Sequence, residues 1–156
     1  DASAGLTGVD YASADWGDYD NDGDLDIAIQ GRVSTGSPDV LSTTIYRNDA
    51  GSFVDIAAGF LGLSNGDLRW VDFDDDGDLD LFIGSRSIPD LYGISPKSYL
   101  LENNGHGLYK DVTTQKAQEL NDIGMVTDAA WLDYDNDNDM DLVIVGEWMK
   151  ISIEMR

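Results

Sequence analysis

Three short apolar runs recur along the chain: IAIQG at 27–31, LFIGS at 81–85 and LVIVG at 142–146. Each is rich in branched residues, almost continuous in its hydrophobicity, and closes at or beside a glycine. Runs of this length and character predict strands covered on both faces. Two other segments, IYRNDAGSFVDI at 45–56 and YLLENNGHGLYKDV at 99–112, alternate more and are broken by Asn, Asp and Gly. They predict exposed hairpins. A tryptophan-bearing segment precedes each apolar run. The expected unit therefore has four strands: a Trp strand, a buried strand and an outer hairpin. Only TTQKAQELND at 113–122 has helical character, and it is short and polar enough to predict a loop with one helical turn.

Between each Trp strand and its apolar run lies an acidic segment: DYDNDGDLD at 18–26, DFDDDGDLD at 72–80 and DYDNDNDMD at 133–141, with starts 54 and 61 residues apart. Trp16, Trp70 and Trp131 stand two residues before the first aspartate, and Tyr19, Phe73 and Tyr134 directly follow it. The similarity extends outward, since DASAGLTG at 1–8 matches DIAAGFLG at 55–62. Three copies of one unit, approximately 8–57, 62–113 and an incomplete 124–156, fill a single repeat domain.

Charge changes the picture. The 156 residues carry a formal charge of −22, and 42% hydrophobic content argues for a folded chain despite it. Such a surface repels nucleic acid and anionic lipid and attracts cations. No apolar run approaches the roughly 18 residues of a membrane span. The absence of cysteine removes disulfides, thiolate metal sites and cysteine nucleophiles.

The acidic segments have the spacing a hard cation requires, with oxygen ligands at alternate positions and a turn after the third. In the first, Asp18, Asp20 and Asp22 take positions 1, 3 and 5, and Gly23 makes the turn. Asp24 at position 7 offers its backbone carbonyl, and Asp26 at position 9 closes the shell. The second repeats this with Asp72, Asp74, Asp76, Gly77, Asp78 and Asp80. The third uses Asp133, Asp135, Asp137, Asp139 and Asp141, with Asn138 at the glycine position, which predicts the weakest of three Ca2+ sites. An EF-hand is excluded, because position 12 is Ile29, Ile83 or Ile144 rather than a bidentate glutamate. Mg2+ fits less well, since it keeps its waters and takes few protein ligands. The competing reading is a solvated acidic turn without metal.

The pattern W-x-D-[YF]-D-x-D-G-D-L-D, followed by an apolar strand and glycine, resembles the FG-GAP/VCBS repeat of integrin-α-like β-propellers. The resemblance implies blades of four antiparallel strands, with Ca2+ in the loop joining the first two. A Gly-Ala-Pro element is absent; IQG, IGS and IVG stand in its place, which is closer to the bacterial VCBS branch. The expected fold is all-β, with about three propeller blades forming a partial propeller or half of an oligomeric ring. Propellers close with four to eight blades. Self-association, most simply as a dimer with Asp1–Ser3 serving as the strand that ISIEMR lacks, is therefore expected.

The function this implies is a non-catalytic Ca2+-binding module of a secreted or cell-surface protein, contacting protein or glycan. One alternative is a propeller fragment of a secreted polysaccharide-active enzyme whose catalytic residues lie elsewhere; another is a carbohydrate-binding module. Paired carboxylates can hydrolyse glycosides, but here they are accounted for as metal ligands. His106 reads as a surface turn residue, and Arg47 and Glu102 as solvated hairpin positions. The three repeated tryptophans read as core or inter-blade residues. Trp148, without a counterpart in the other units, is the better candidate for a ligand or subunit contact.

Overall fold

The computed structural model describes residues 4–33, 40–88, 91 and 94–149, together with the backbone of 152–154. The first sheet runs β1 (Asp10–Gly17), β2 (Asp26–Val33), β3 (Val40–Asp49) and β4 (Ser52–Asp55) in that spatial order, and every pair is antiparallel. The second repeats it with β5 (Leu68–Val71), β6 (Asp80–Ile83), β7 (Tyr99–Asn103) and β8 (Tyr109–Asp111). The third contains β9 (Met125–Leu132), β10 (Asp141–Glu147) and β11 (Ser152–Glu154). The fold is all-β, a succession of antiparallel sheets of propeller-blade type that do not close into a barrel. Asp1–Ser3, expected as the end of a fourth strand, lie outside the described residues, as do Lys150, Ile151, Met155 and Arg156.

The four-strand reading holds for the first two units. The predicted hairpins are β3–β4, turning at Ala50 and Gly51, and β7–β8. The helical character of 113–122 resolves into one short α-helix, α1 (Thr113–Lys116), and a 3-10 turn at Gln118–Asp122. Leu120 from that turn is fully buried, so the insertion caps a core rather than hanging free.

The apolar runs are continuous because two cores use alternate residues of one strand. Leu81 and Ile83 of β6 face a cluster shared with the first sheet, including Ala28, Ile45, Leu68 and Trp70. Phe82, between them, faces a second cluster shared with the third sheet, including Val126, Leu142 and Ile144. Side chains alternate across a strand, so a middle sheet sandwiched between neighbours has no polar face to spare. β10 follows this only in part: Leu142 and Ile144 are buried, whereas Val145 is exposed.

The first strands of successive sheets are joined directly. The Asp15 carboxylate accepts the Trp70 backbone N–H (3.0 Å), and its carbonyl accepts the indole Nε1–H (3.2 Å). Buried Asp67 accepts Ser13 Oγ (2.8 Å) on one side and Ala129 N (3.0 Å) on the other, linking β1, the start of β5 and β9. Gly84 permits close approach of the third sheet, since a Cβ there would lie 2.6 Å from Val126 Cγ1. Each acidic loop joins the first two strands of its sheet, and the first two loops touch, Asn21 of the first donating to Gly77 O and Asp78 Oδ1 of the second.

Candidate metal centre

The three acidic loops fold to one pattern. Asp18 receives the backbone N–H groups of Asp22 and Gly23, both at 3.0 Å, and Asp22 receives that of Asp24 at 2.8 Å. Asp72 and Asp76 repeat these three bonds with Asp76, Gly77 and Asp78 at 3.0–3.1 Å. Asp133 and Asp137 do the same with Asp137, Asn138 and Asp139 at 3.0–3.2 Å. The closing carboxylates are equivalent too: Asp26 accepts Tyr19 N, Asp80 accepts Phe73 N and Asp141 accepts Tyr134 N. Each loop is thus drawn into a ring whose first and last acids are tied to backbone.

The turn requires a left-handed residue at position 6. Gly23 (φ 95°) and Gly77 (φ 90°) adopt it, and Asn138 does so with φ 75°. Asparagine tolerates this region at lower cost than most side chains, so the third loop keeps its shape. Position 4 is left-handed as well, at Asn21, Asp75 and Asn136. The Asn or Asp at each of these positions is the sequence signal of that requirement, and it is distinct from the alternating ligand pattern.

Carboxylate oxygens converge in every loop. Asp18, Asp20 and Asp22 each place an oxygen within 4.8 Å of the others, as do Asp72, Asp74 and Asp80, and Asp133, Asp135 and Asp141. Positions 1 and 3 recur in all three groups, joined by position 5 in the first and position 9 in the others. At position 5, Asp22, Asp76 and Asp137 all accept the backbone N–H two residues on. The side chains at position 7 point to other work: Asp24 accepts Ala50 N from the β3–β4 hairpin, and Asp78 accepts Asn21 Nδ2 from the first loop.

The electrostatics point to a missing positive charge. Burial, with Asp22 and Asp18 adding repulsion, raises the Asp20 carboxyl above its usual range. Burial likewise raises Asp26, and it pushes Asp80 up to about 7, against the stabilising N–H bonds of Asn103 and Phe73. Asp135 is raised by desolvation and by Asp137 and Asp141. In the first loop, Asp20 Oδ1 is shielded from solvent and accepts no hydrogen bond. The Arg47 guanidinium, whose charge acts on Asp20, is itself paired with Asp49 at 2.8 Å. An orphaned, desolvated carboxylate oxygen among like charges fits a hard divalent cation.

The repeated tryptophans divide. Trp70 is buried and stacks on Tyr19 across the sheet boundary, with centroids 6.0 Å apart and planes at 7°. Trp131 packs against the second core. Trp16, expected in a core or interface, is 53% exposed and meets Phe53 in a T-shaped contact with centroids 6.1 Å apart. His106 is exposed in its turn, Arg47 and Glu102 are partly exposed, and Trp148 is 67% exposed. No protein-family model matches the chain, and no curated protein matches it.

Proposed function

We propose that the chain is a non-catalytic, Ca2+-binding repeat module of the FG-GAP/VCBS type, and that it works outside the cell as a scaffold for contact with protein or glycan. The observation that carries this reading is the threefold recurrence of one hydrogen-bonded acidic ring, with converging carboxylates in each copy and an orphaned oxygen in the first. Side chains at positions 1, 3, 5 and 9 and the backbone carbonyl at position 7 would hold the ion. Bound Ca2+ would neutralise each ring and fix the turn between the first two strands of its sheet. Loops of this kind suit millimolar extracellular Ca2+, where weak sites fill.

The same reading covers assembly. Trp16 and Tyr134 (57% exposed) are the counterparts of the Trp70 and Tyr19 that stack internally. We therefore expect a second copy to bring such faces together, giving a dimer by light scattering at micromolar concentration with Ca2+ present. Among the described residues, no constellation outside the loops favours the enzyme alternative. The module reading is tested by presenting the Ca2+-loaded protein to glycan and protein arrays, with EGTA-treated protein in parallel. Ca2+-dependent capture of a defined ligand without turnover supports it. Capture that is indifferent to EGTA, or turnover of a glycan, contradicts it.

A further inference from the structure

The first two loops are joined to each other by hydrogen bonds through buried residues. Asp26 Oδ2 accepts the backbone N–H of Tyr19 (3.1 Å). The Tyr19 carbonyl accepts Nδ2 of Asn103 (3.0 Å), which also donates to Leu79 O (3.2 Å). The backbone N–H of Asn103 donates to Asp80 Oδ1 (2.7 Å). The closing carboxylates of loops 1 and 2 are therefore the two ends of one chain of three bonds. Asn103 is 2% exposed, and its own Oδ1 receives the N–H groups of Gly105 and Gly107, so its amide has no freedom to turn.

A second bridge lies at the surface. Asn21, at position 4 of loop 1, donates Nδ2 to Gly77 O (3.3 Å) and Asp78 Oδ1 (3.2 Å) of loop 2. At the junction of loops 2 and 3, position 4 is Asp75, and a carboxylate has no N–H to donate. The Asn21 bridge therefore has no counterpart through position 4 of loop 2.

Resting on the reading of the loops as Ca2+ sites, we propose that sites 1 and 2 fill as a positively coupled pair while site 3 fills independently. Without metal, like-charged oxygens loosen each loop. An ion that fixes Asp80 also fixes Asn103, and through it the Tyr19 peptide and Asp26 at site 1. Ordering those shared groups is required once, so the second ion meets a loop already set. Asn21 and Asn103 act here as positioning residues.

The test titrates Ca2+ into metal-free protein by calorimetry, comparing the wild type with Asp18→Asn, Asp72→Asn and Asp133→Asn, which disable one site each. Coupling of ordinary size makes the loss of site 2 weaken site 1 about fivefold or more, and by reciprocity the loss of site 1 does the same to site 2. Loss of site 3 leaves both within about twofold. Asn21→Asp keeps every ligand and the left-handed backbone but removes the surface donor, and it reduces the coupling without abolishing any site. Amide exchange at Tyr19 in Asp18→Asn protein slows when site 2 alone is filled, a readout that does not depend on site 1 affinity. Three bound ions whose affinities ignore each other's sites, with Tyr19 exchange unchanged, would overturn the coupling and leave the metal reading intact. Failure of the wild type to bind any Ca2+ would overturn both.

Discussion

Tyr19 and Tyr134 stand at the same place in their repeats, one residue after the first loop aspartate, and their surroundings are opposite. Tyr19 is 3% exposed, stacked on Trp70 and near Tyr109, and burial with the neighbouring carboxylates Asp20 and Asp26 pushes its hydroxyl up to about 12. Tyr134 is 57% exposed. Trp16 and Trp70 differ in the same way. In both pairs the residue type and the place in the repeat beside the acidic loop are shared. What differs is whether another sheet packs on that face. Position within the unit decides which way a side chain points, and the neighbouring unit decides what that side chain contributes to stability.

The sharpest break of this comparison is truncation of its tryptophans. Trp70→Ala removes a buried indole from the shared core and leaves the Asp15 carbonyl without its indole donor, for a cost of about 3–5 kcal/mol. Trp16→Ala, on a face exposed in the single chain, should cost under about 1 kcal/mol at concentrations too low for the proposed dimer to form. Chemical denaturation of the two variants measures the difference, and equal losses would mean that Trp16 is covered in solution.

Metal separates loops as well as faces. At 100-fold excess of Ca2+ over Kd, each filled site adds about 2.7 kcal/mol. EGTA should therefore lower the melting temperature markedly. Asp76→Ala in loop 2 should lower it more than Asp137→Ala in loop 3, where Asn138 makes the turn. A larger loss from Asp137→Ala would reverse the ranking of the two sites.

A smaller effect distinguishes the loaded from the empty loops through pH. Asp80 has a folded-state pKa of about 7, raised mainly by burial, and Asp20, Asp26 and Asp67 are raised for the same first reason. A raised carboxyl contributes stability that is fully present below its unfolded pKa and lost as pH rises through the folded value. Metal-free protein should accordingly melt higher at pH 5 than at pH 7.5. With Ca2+ present the slope should invert, because protons compete with the ion for the same oxygens. Asp10 and Asp49, held low by Arg32 and Arg47, lose their contribution only below about pH 4 and do not disturb this window. Asp80→Asn should flatten the metal-free slope.

The smallest change is Asn138→Gly. It relieves the left-handed strain at φ 75° and should tighten the third site by up to about fivefold, worth under about 1 kcal/mol. An unchanged affinity there would show that the asparagine is not what weakens the loop.

Much of this arrangement was legible in the chain. The period-two logic behind LFIGS, the hairpin turns, the left-handed Asn138 and the helical turn at 113–122 all follow from local chemistry. What was not legible depends on residues one unit apart. Nothing in DYDNDGDLD says that Asn21 reaches Asp78, 57 residues away, or that Asn103 spans 84 residues to Tyr19. The exposure of Trp16 is illegible for the same reason, since it stands at the same place as Trp70 in its repeat. The double duty of Asp26 and Asp80, each closing a loop while holding the N–H of Asn48 or Asn103, likewise needs the register of the third strand, which alternation alone does not set.

The central claim is that the three acidic rings are metal sites, and anomalous scattering from crystals grown with Ca2+ tests it most directly. The account predicts three peaks, one in each ring, each ligated at positions 1 and 3 and by the closing aspartate. No peak at any ring under saturating Ca2+ would contradict it and leave three solvated turns.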